Sequence, residues 1–386
     1  MTSTAEDDNV NHLAAELESM GELPVICASA FRTVPREQFI PDRIWAQESD
    51  DDPYMPIDRE REPEHWYRLV NSDRVIVTQF DDGATHWPET GYRPSCSTSM
   101  PSLVVGMLAE LAPQPGERIL EIGTGTGYNA ALLAELVGPA GQVTSVEIDP
   151  DLAELARVRL VQAGYSNVRV VVADGVAGVE PEQPWDRVIV TAGVHVGRLP
   201  YEWVDHSRAD GIVLTPMRTD LASGPLVRFV VNADGTATGR ACAMRVGFME
   251  LRQQRVAAAR ASQLRWDDDS ADVSITTTNP FVALLDEAAR WAIALAVPCC
   301  RYNLEKPTIE RRYGLAWLLD PVTGSWASAV PTDDEHRFIV RQRGPRKLWN
   351  EVETAYRWWQ HHHQPTLETW DWTVTPYEQS VTLAEQ

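Results

Sequence analysis

The chain has 386 residues, 44% of them apolar and 23% charged, and its 34 basic against 56 acidic side chains give a net charge of −22. That length suggests two to three domains, and the composition is ordinary for a soluble protein with a buried core, which excludes extended disorder, a collagen repeat and a coiled coil. No run of about 18 apolar residues occurs, so neither a membrane span nor a membrane partner is expected, and a field of this sign repels a nucleic-acid backbone.

Residues 1–11 lack the basic-then-apolar layout of a signal peptide. The five cysteines (Cys27, Cys96, Cys242, Cys299 and Cys300) are scattered, odd in number and without a CxxC pair. They read as reduced thiols in a cytoplasmic protein, with no metal site.

Residues 1–20 read as a solvated acidic lead-in, and 21–112 as short helical stretches and loops, with an acidic, proline-bearing run from Glu48 to Pro63. From Glu117 to Met217 the pattern sharpens. Short apolar runs predict buried parallel strands over Arg118–Ile122, Val143–Ile148, Val168–Val172, Arg187–Val190 and Ile212–Leu214. Tyr128–Val137 and Pro150–Ala163 carry helical apolar spacing, the second opened by Asp149 and Pro150 as cap and first-turn residue. Such alternation predicts a parallel sheet with helices on both faces.

Beyond about residue 250 the texture changes. Ala257–Ala261 reads as helical and Trp266–Asp272 as a turn-like break, and residues 266–386 hold nine of the fourteen tryptophans. A helix is predicted over Phe281–Val297 and another over Lys347–His361. Strands are predicted at Leu315–Leu319 and Ser325–Val330 about an Asp-Pro-Val-Thr-Gly turn, at Phe338–Arg341 and at Trp370–Val374. The expected organisation is therefore the lead-in 1–20, a cofactor-binding catalytic domain 21–250, and a Trp-rich α+β accessory domain 260–386 for which peptide recognition is one expectation.

The run Ile119-Leu-Glu-Ile-Gly-Thr-Gly-Thr-Gly-Tyr128 carries the chemistry. An apolar strand leads into Gly123, Gly125 and Gly127 and then directly into a helix, a layout that lets a ligand approach the backbone with no Cβ in the way. Twenty residues past Gly127, at the end of the next strand, Glu147 stands where an acid reaches a ribose hydroxyl pair in such folds. Ala173-Asp174-Gly175 marks the end of the strand after that. The dinucleotide fingerprint places its third glycine three residues after the second; here the gap is two, which weakens a nicotinamide oxidoreductase. The tighter form, with Glu121 in front, resembles motif I of class I S-adenosylmethionine (SAM) methyltransferases.

A narrower resemblance follows. Phe31-Arg-Thr-Val-Pro-Arg-Glu-Gln-Phe-Ile-Pro-Asp42, Ser97-Thr-Ser-Met-Pro101, Leu120–Tyr128 and Ala173-Asp-Gly-Val-Ala-Gly178 are similar to segments of the protein-L-isoaspartyl O-methyltransferases, over roughly residues 20–220. Ser97 stands for the family's threonine, Met100 for its glutamine or alanine, and Arg208-Ala-Asp-Gly211 for its L-K-x-G-G. The long tail and the junction Gly247-Phe-Met-Glu-Leu-Arg252 look like a branch found beside ATP-grasp peptide ligases, which matures ribosomal peptides of the graspetide type.

The resemblance implies a class I SAM-dependent methyltransferase (Rossmann-like) domain, α/β, with an additional C-terminal α+β region. It implies S-adenosyl-L-methionine as cofactor, held by Glu121, Gly123, Thr124, Gly125, Gly127, Glu147, Asp174 and Gly175. Ser99 is expected to hold the acceptor carboxylate, with Ser97 and Thr98 beside it. Asp82, in Asp81-Asp82-Gly83, reads either as a substrate contact or as an exposed turn. Ser99 has a second reading of its own, as a helix cap before Pro101. The implied partner is a ribosomal precursor peptide after side-chain cross-linking. Its aspartate would be esterified and then attacked by the next backbone amide to leave an aspartimide. Isoaspartyl repair is the alternative, and a non-catalytic peptide-binding protein on the same fold is the alternative of another class.

A carboxylate is already ionised at neutral pH, so methyl transfer to it needs no general base. Positioning and exclusion of water are then expected to supply most of the acceleration, on the order of 7–11 kcal/mol. His195 reads as structural, His361-His362-His363 as helical residues that point apart and share no metal, Cys299-Cys300 as packing, and Trp358, Trp359, Trp370 and Trp372 as core. Residues 301–357 carry ten basic and eight acidic side chains. Arg341, Arg343 and Arg346 there are either a solvated face or a contact for an acidic peptide.

Overall fold

The computed structural model describes residues 3–49, 52–255, 268–307, 313–334 and 336–384, with side chains from residue 12 onward; the helical expectation at 257–261 lies outside them. The chain opens with α1 (Ser3–Met20) and α2 (Val25–Thr33). The lead-in expected to be solvated is thus a helix. Leu13, Ala14 and Leu17 are buried in the same cluster as Phe31, Val105 and Tyr128, while Glu16 and Glu18 stay exposed. Composition hid the narrow apolar stripe.

The segment expected to be helices and loops contains a small antiparallel sheet. Its strands are β1 (Arg43–Ala46), β2 (Met55–Asp58), β3 (Ile76–Phe80) and β4 (Pro94–Thr98), in the order β2-β1-β3-β4, with α3 (Pro63–Val70) between β2 and β3. These strands are four or five residues long, too short for an alternation pattern to stand out. β4 ends at Thr98, and Ser99 and Met100 join it to α4 (Pro101–Leu111).

The sharp pattern of the middle of the chain becomes a large sheet. β5 (Arg118–Ile122), α5 (Tyr128–Val137), β6 (Gln142–Glu147), α6 (Pro150–Gln162), β7 (Val168–Val172) and β8 (Trp185–Val190) come first. Two-residue β9 (Val194–His195), α7 (Glu202–Asp205), β10 (Ser207–Arg218), β11 (Ser223–Val231) and β12 (Ala237–Arg245) follow. β5 pairs in parallel with β6 on one side and β8 on the other. The chain order reverses there, and ligands of open α/β sheets bind in the crevice at the carboxyl ends of such strands. Asp149 caps α6 by accepting from Asp151 N at 3.1 Å and Leu152 N at 3.3 Å, as the sequence predicts.

The C-terminal part builds a five-stranded antiparallel sheet from β13 (Asp272–Thr276), β14 (Arg301–Glu305), β15 (Leu315–Leu319), β16 (Trp326–Pro331) and β17 (Phe338–Arg343), ordered β13-β17-β16-β15-β14. The helix expected over Phe281–Val297 is two, α8 (Pro280–Leu285) and α9 (Glu287–Ala296). Asp286 breaks it: its backbone is extended (φ −65°, ψ 121°) and its side chain caps α9 by accepting from Ala289 N at 2.8 Å. α10 (Leu348–His361) follows, then β18 (Trp370–Val374) and β19 (Gln379–Leu383).

Those last two strands leave the accessory sheet. β18 pairs with β12, Ala237 opposite Val374 and Arg240 opposite Asp371, so the catalytic sheet runs β19-β18-β12-β11-β10-β8-β5-β6-β7. Trp372 packs edge-on against Phe229 of β11 at 6.3 Å between ring centroids. Gly224 leaves room for Trp291 of α9, since a Cβ there would lie 2.4 Å from its ring. One apolar cluster runs from Leu120 and Val188 through Phe229 to Trp291, Trp349 and Trp372. The Trp-rich C-terminal region thus shares an apolar cluster with the catalytic sheet. Two cations read as candidates for an acidic peptide are already paired: Arg346 with Asp320 (3.0 Å) and Glu351, and Arg343 with Asp268 (3.0 Å).

Candidate active site

The turn after β5 has left-handed backbone at all three glycines, with φ +103° at Gly123, +53° at Gly125 and +91° at Gly127. At Gly123 a Cβ would also lie 2.5 Å from Thr191 Oγ1, so only glycine fits without strain. Thr191 follows β8 and donates to the carbonyls of Ile122 (3.1 Å) and Gly123 (2.8 Å), which ties the glycine turn to its neighbouring strand. Glu147 lies at the end of β6. Its carboxylate accepts from Gly125 N at 2.9 Å and Asp149 N at 3.1 Å. Burial pushes the Glu147 carboxyl above its ordinary range, although both N–H groups pull it down.

Glu121 stands behind the turn. Its carboxylate is fully buried, accepts from Asn129 Nδ2 at 2.7 Å and from the Ser145 hydroxyl, and is pushed up to about 7 by burial. It braces the turn from below; it does not line the cavity.

The opposite wall is β4 and the residue that follows it. Ser95, Cys96, Ser97, Thr98 and Ser99 all line the cavity, and Thr98 Oγ1 meets Thr126 Oγ1 of the glycine turn at 3.1 Å. Arg36 holds this segment in place. Its guanidinium is buried and donates to the carbonyls of Val70 (2.6 Å), Ser72 (3.2 Å), Arg74 (2.7 Å), Thr98 (3.4 Å) and Ser99 (3.0 Å). The Ser99 carbonyl is therefore engaged, and its hydroxyl makes no cap for α4. The cap residue is Met100, no side chain caps its turn, and Asp73 Oδ1 takes the Ser102 N–H at 2.8 Å.

The third wall is a strap from Phe248 to Arg255, of which seven residues line the cavity. It is laced to the sheet: Gly193 N donates to Met249 O (2.7 Å), Leu251 N to Gly193 O (3.1 Å), and His195 N to Gln254 Oε1 (2.7 Å). Arg252 bonds Asp82 at 3.0 Å and Asp149 at 3.2 Å, and Arg255 bonds Asp82 at 2.8 Å. Asp82 thus stands behind two arginines of the cavity wall.

Of the residues singled out in the sequence, Ser97, Thr98, Ser99, Gly123, Thr124, Gly125, Glu147 and Gly175 line one cavity. Gly127, Glu121, Asp82 and Asp174 do not. Gly127 starts α5 and faces Ala156 and Leu160 of α6. Asp174 caps the short turn after it by accepting from Val176 N at 2.9 Å, while Gly175 reaches the cavity edge. Arg36, Asp73, Thr191 and the strap were not foreseen as site residues. The junction Gly247–Arg252 was visible in the sequence only as a family mark.

His195 is buried and its Nε2 lies 3.1 Å from Glu250 Oε1. His195, Asp220 and Glu250 offer ligand atoms within 4.8 Å of one another. Arginine cations already face both carboxylates, Arg218 on Glu250 at 3.3 Å and Arg301 on Asp220 at 3.4 Å.

A family model described as protein-L-isoaspartate(D-aspartate) O-methyltransferase matches residues 78–255. A protein-L-isoaspartate O-methyltransferase of Methanopyrus kandleri is 37% identical over 196 residues, which covers 49% of this chain and 71% of that one. The chain belongs to the protein-L-isoaspartate O-methyltransferase family. The corresponding enzyme 2 of Rhodopseudomonas palustris is 39% identical over 168 residues, or 43% of this chain and 74% of the relative. For the Ignicoccus hospitalis relative, 39% identical over 137 residues, the chain spans 64% of its length.

Membership in the family makes the chain a SAM-dependent O-methyltransferase by class. The residues present fit such a cofactor: the turn at Gly123 and Gly125 is left-handed and free of Cβ atoms, and the Glu147 carboxylate and Gly175 line the same cavity. A solved structure titled protein-L-isoaspartate O-methyltransferase shares the fold at a TM-score of 0.54 and 21% identity, over 97% of this chain and 100% of that chain. Its span reaches past residue 255, so a C-terminal extension is not peculiar to this chain.

Proposed function

We propose that the chain transfers a methyl group to a carboxylate of a peptide, and that the acceptor is an aspartate side chain of a ribosomally made, graspetide-type precursor whose ester goes on to an aspartimide. SAM supplies an electrophilic methyl group on a sulfonium. Gly123, Gly125 and Glu147 would hold it against the sheet ends, with the adenine edge toward Asp174 and Gly175. The Ser99 hydroxyl, which caps no helix, would donate to the acceptor carboxylate across the cavity and turn one oxygen along the line of transfer.

The observation that carries the carboxyl-transfer reading is the meeting of this serine loop with the glycine turn in one cavity, fixed by the Thr98–Thr126 contact and by Arg36. The precursor-peptide reading draws on the resemblance of the junction and tail, and on a tail fused into the catalytic core, so that a peptide held by one is held relative to the other. Repair of isoaspartyl residues is the second reading. It is favoured by the names of the relatives and by the solved isoaspartate methyltransferase whose alignment runs the length of this chain.

Mass spectrometry separates them. The protein and SAM are incubated with a plain isoaspartyl peptide, a linear aspartate-rich precursor, and the same precursor after side-chain cross-linking. A methyl gained and methanol then lost on the cross-linked peptide alone is expected. Methylation of the isoaspartyl peptide instead makes this a repair enzyme.

A further inference from the structure

Glu147 is held from a direction that the glycine turn does not supply. Its Oε1 accepts from Asp149 N at 3.1 Å, so the aim of this carboxylate depends on where Asp149 sits. Asp149 spends Oδ1 on the cap of α6, accepting from Asp151 N and Leu152 N. Its other oxygen, Oδ2, accepts from Gln79 Nε2 of β3 at 3.1 Å and from Arg252 Nη2 of the strap at 3.2 Å.

Arg252 is itself fixed. Its Nε lies 3.0 Å from Asp82, and its Nη2 reaches Gln79 Oε1 at 3.4 Å as well as Asp149. Ser95 Oγ donates to the same Gln79 oxygen at 2.8 Å and accepts from Asp82 N at 3.0 Å, which closes a ring of bonds. The end of β3, the cap of α6 and the strap therefore meet beside Glu147, and Arg252 and Glu147 line the same cavity.

The charges about Glu147 have opposed effects. Burial raises its carboxyl; the Gly125 and Asp149 N–H groups and the Arg252 cation oppose that rise, and the Asp149 carboxylate adds to it. Glu121 stands behind the turn, raised to about 7 by its own burial, and the buried Cys96 thiol is pushed up to about 12 and stays neutral. Arg252 is the cation of that set, and it comes from the strap.

We propose that Arg252 is a positioning residue for the cofactor: through Asp149 it sets the Glu147 carboxylate toward the ribose hydroxyls of SAM, so that the strap completes the cofactor's site. The inference rests on the reading of Glu147 as the group that holds the ribose. An ionised carboxylate only accepts, as a pair of hydroxyls requires, whereas a protonated one must turn an oxygen into a donor. Without the cation the proton returns to Glu147 at a higher pH, so cofactor binding is lost earlier as pH falls.

Calorimetry of S-adenosylhomocysteine with the full chain, across a pH series, reads this without turnover. Arg252→Gln is expected to weaken binding about 10-fold at neutral pH, the loss of one hydrogen bond to a charged group. It should also move the acid limb of the affinity profile to higher pH. Arg252→Lys keeps the charge without the planar fork and is expected to bring the limb back and restore part of the affinity. Asp82→Asn leaves the cation but loosens its seat, and should fall between wild type and Arg252→Gln.

Equal affinity for wild type and Arg252→Gln at every pH overturns the proposal. So does an Arg252→Lys variant that behaves as Arg252→Gln, because the charge then plays no part. Thermal unfolding reads folding separately; if Arg252→Gln does not fold, Asp82→Asn at wild-type affinity overturns the proposal in its place. Glu147→Gln tests the reading beneath it. Wild-type affinity in that variant sinks the ribose assignment and the proposal together, whereas lost affinity there beside an unaffected Arg252→Gln sinks the proposal alone.

Discussion

One wall of the cavity comes from two strand–helix turns adjacent in sequence, Ile122–Asn129 and Val146–Leu152, whereas the facing walls gather Ser97–Ser99, held from behind by Arg36 and Asp73, and Phe248–Arg255 from across the chain. On the first wall the groups that set the geometry are local: glycines that permit the turn and a carboxylate one strand away. On the second the serine loop is shaped by a buried guanidinium some sixty residues earlier and faced by a strap some hundred and fifty residues later. The difference teaches that a glycine turn is encoded in a short local motif, while the walls that face it depend on the whole fold.

Arg36→Met should sharpen that contrast most. It strips donors from five carbonyls. Chemical denaturation is expected to register a loss of about 3 kcal/mol or more, because even one or two unsatisfied buried acceptors cost that much. Peptide kcat/KM should fall about 100-fold while calorimetry finds S-adenosylhomocysteine affinity intact. A parallel loss of cofactor affinity would break the comparison.

Ser99→Ala removes one donor to a charged group. Steady-state kinetics should show peptide kcat/KM lowered by about 10- to 100-fold, and Ser99→Thr should restore most of it. An alanine variant at wild-type rate would return Ser99 to a purely structural part.

Gly123→Ala tests the other wall. Left-handed backbone costs an L-residue roughly 1–2 kcal/mol, and the new methyl would collide with the Thr191 hydroxyl at 2.5 Å. Cofactor affinity should drop by about 10-fold or more, with the KM for peptide little changed at saturating SAM.

Glu121→Gln has the smallest expected effect and a pH signature. The Glu121 carboxyl is raised from 4.5 to about 7 in the folded protein. The native state therefore holds a proton that the unfolded chain releases, and stability falls as pH rises from about 4.5 through about 7. Glutamine cannot lose that proton, and the Ser145 hydroxyl can reverse to meet its amide. Thermal unfolding should show the variant a few degrees more stable than wild type at pH 8, with no gain at pH 4.

Legibility in the sequence followed the same division. The strands from Arg118 to Leu214, the helices after Gly127 and Asp149, and the residues of the glycine turn could be read because each rests on spacing within a few residues. The small sheet 43–98 was missed because its strands are too short to show a period. The helix α1 was missed because its buried stripe is narrow within an acidic segment. The break at Asp286 hid inside a continuous helical pattern, since one extended residue can cap a new helix without disturbing apolar spacing. Arg36 stood in plain view in the Val-Pro-Arg-Glu motif, yet nothing in that motif says that its partners are carbonyls of residues 70–99. The return of β18 to β12 left no trace either, because pairing between distant strands is written in no local pattern.

That return sets a clock on biosynthesis. Residues 237–240 of β12 are paired by residues 371–374, so the edge they form stays open until the ribosome has added well over a hundred further amino acids. At about 5–20 residues per second the delay is roughly 7–25 s, during which an unpaired strand flanked by Phe229 is a template for another nascent chain. A stop codon that removes only the last twenty residues would cost the enzyme no residue of its cavity, yet would leave that edge permanently open.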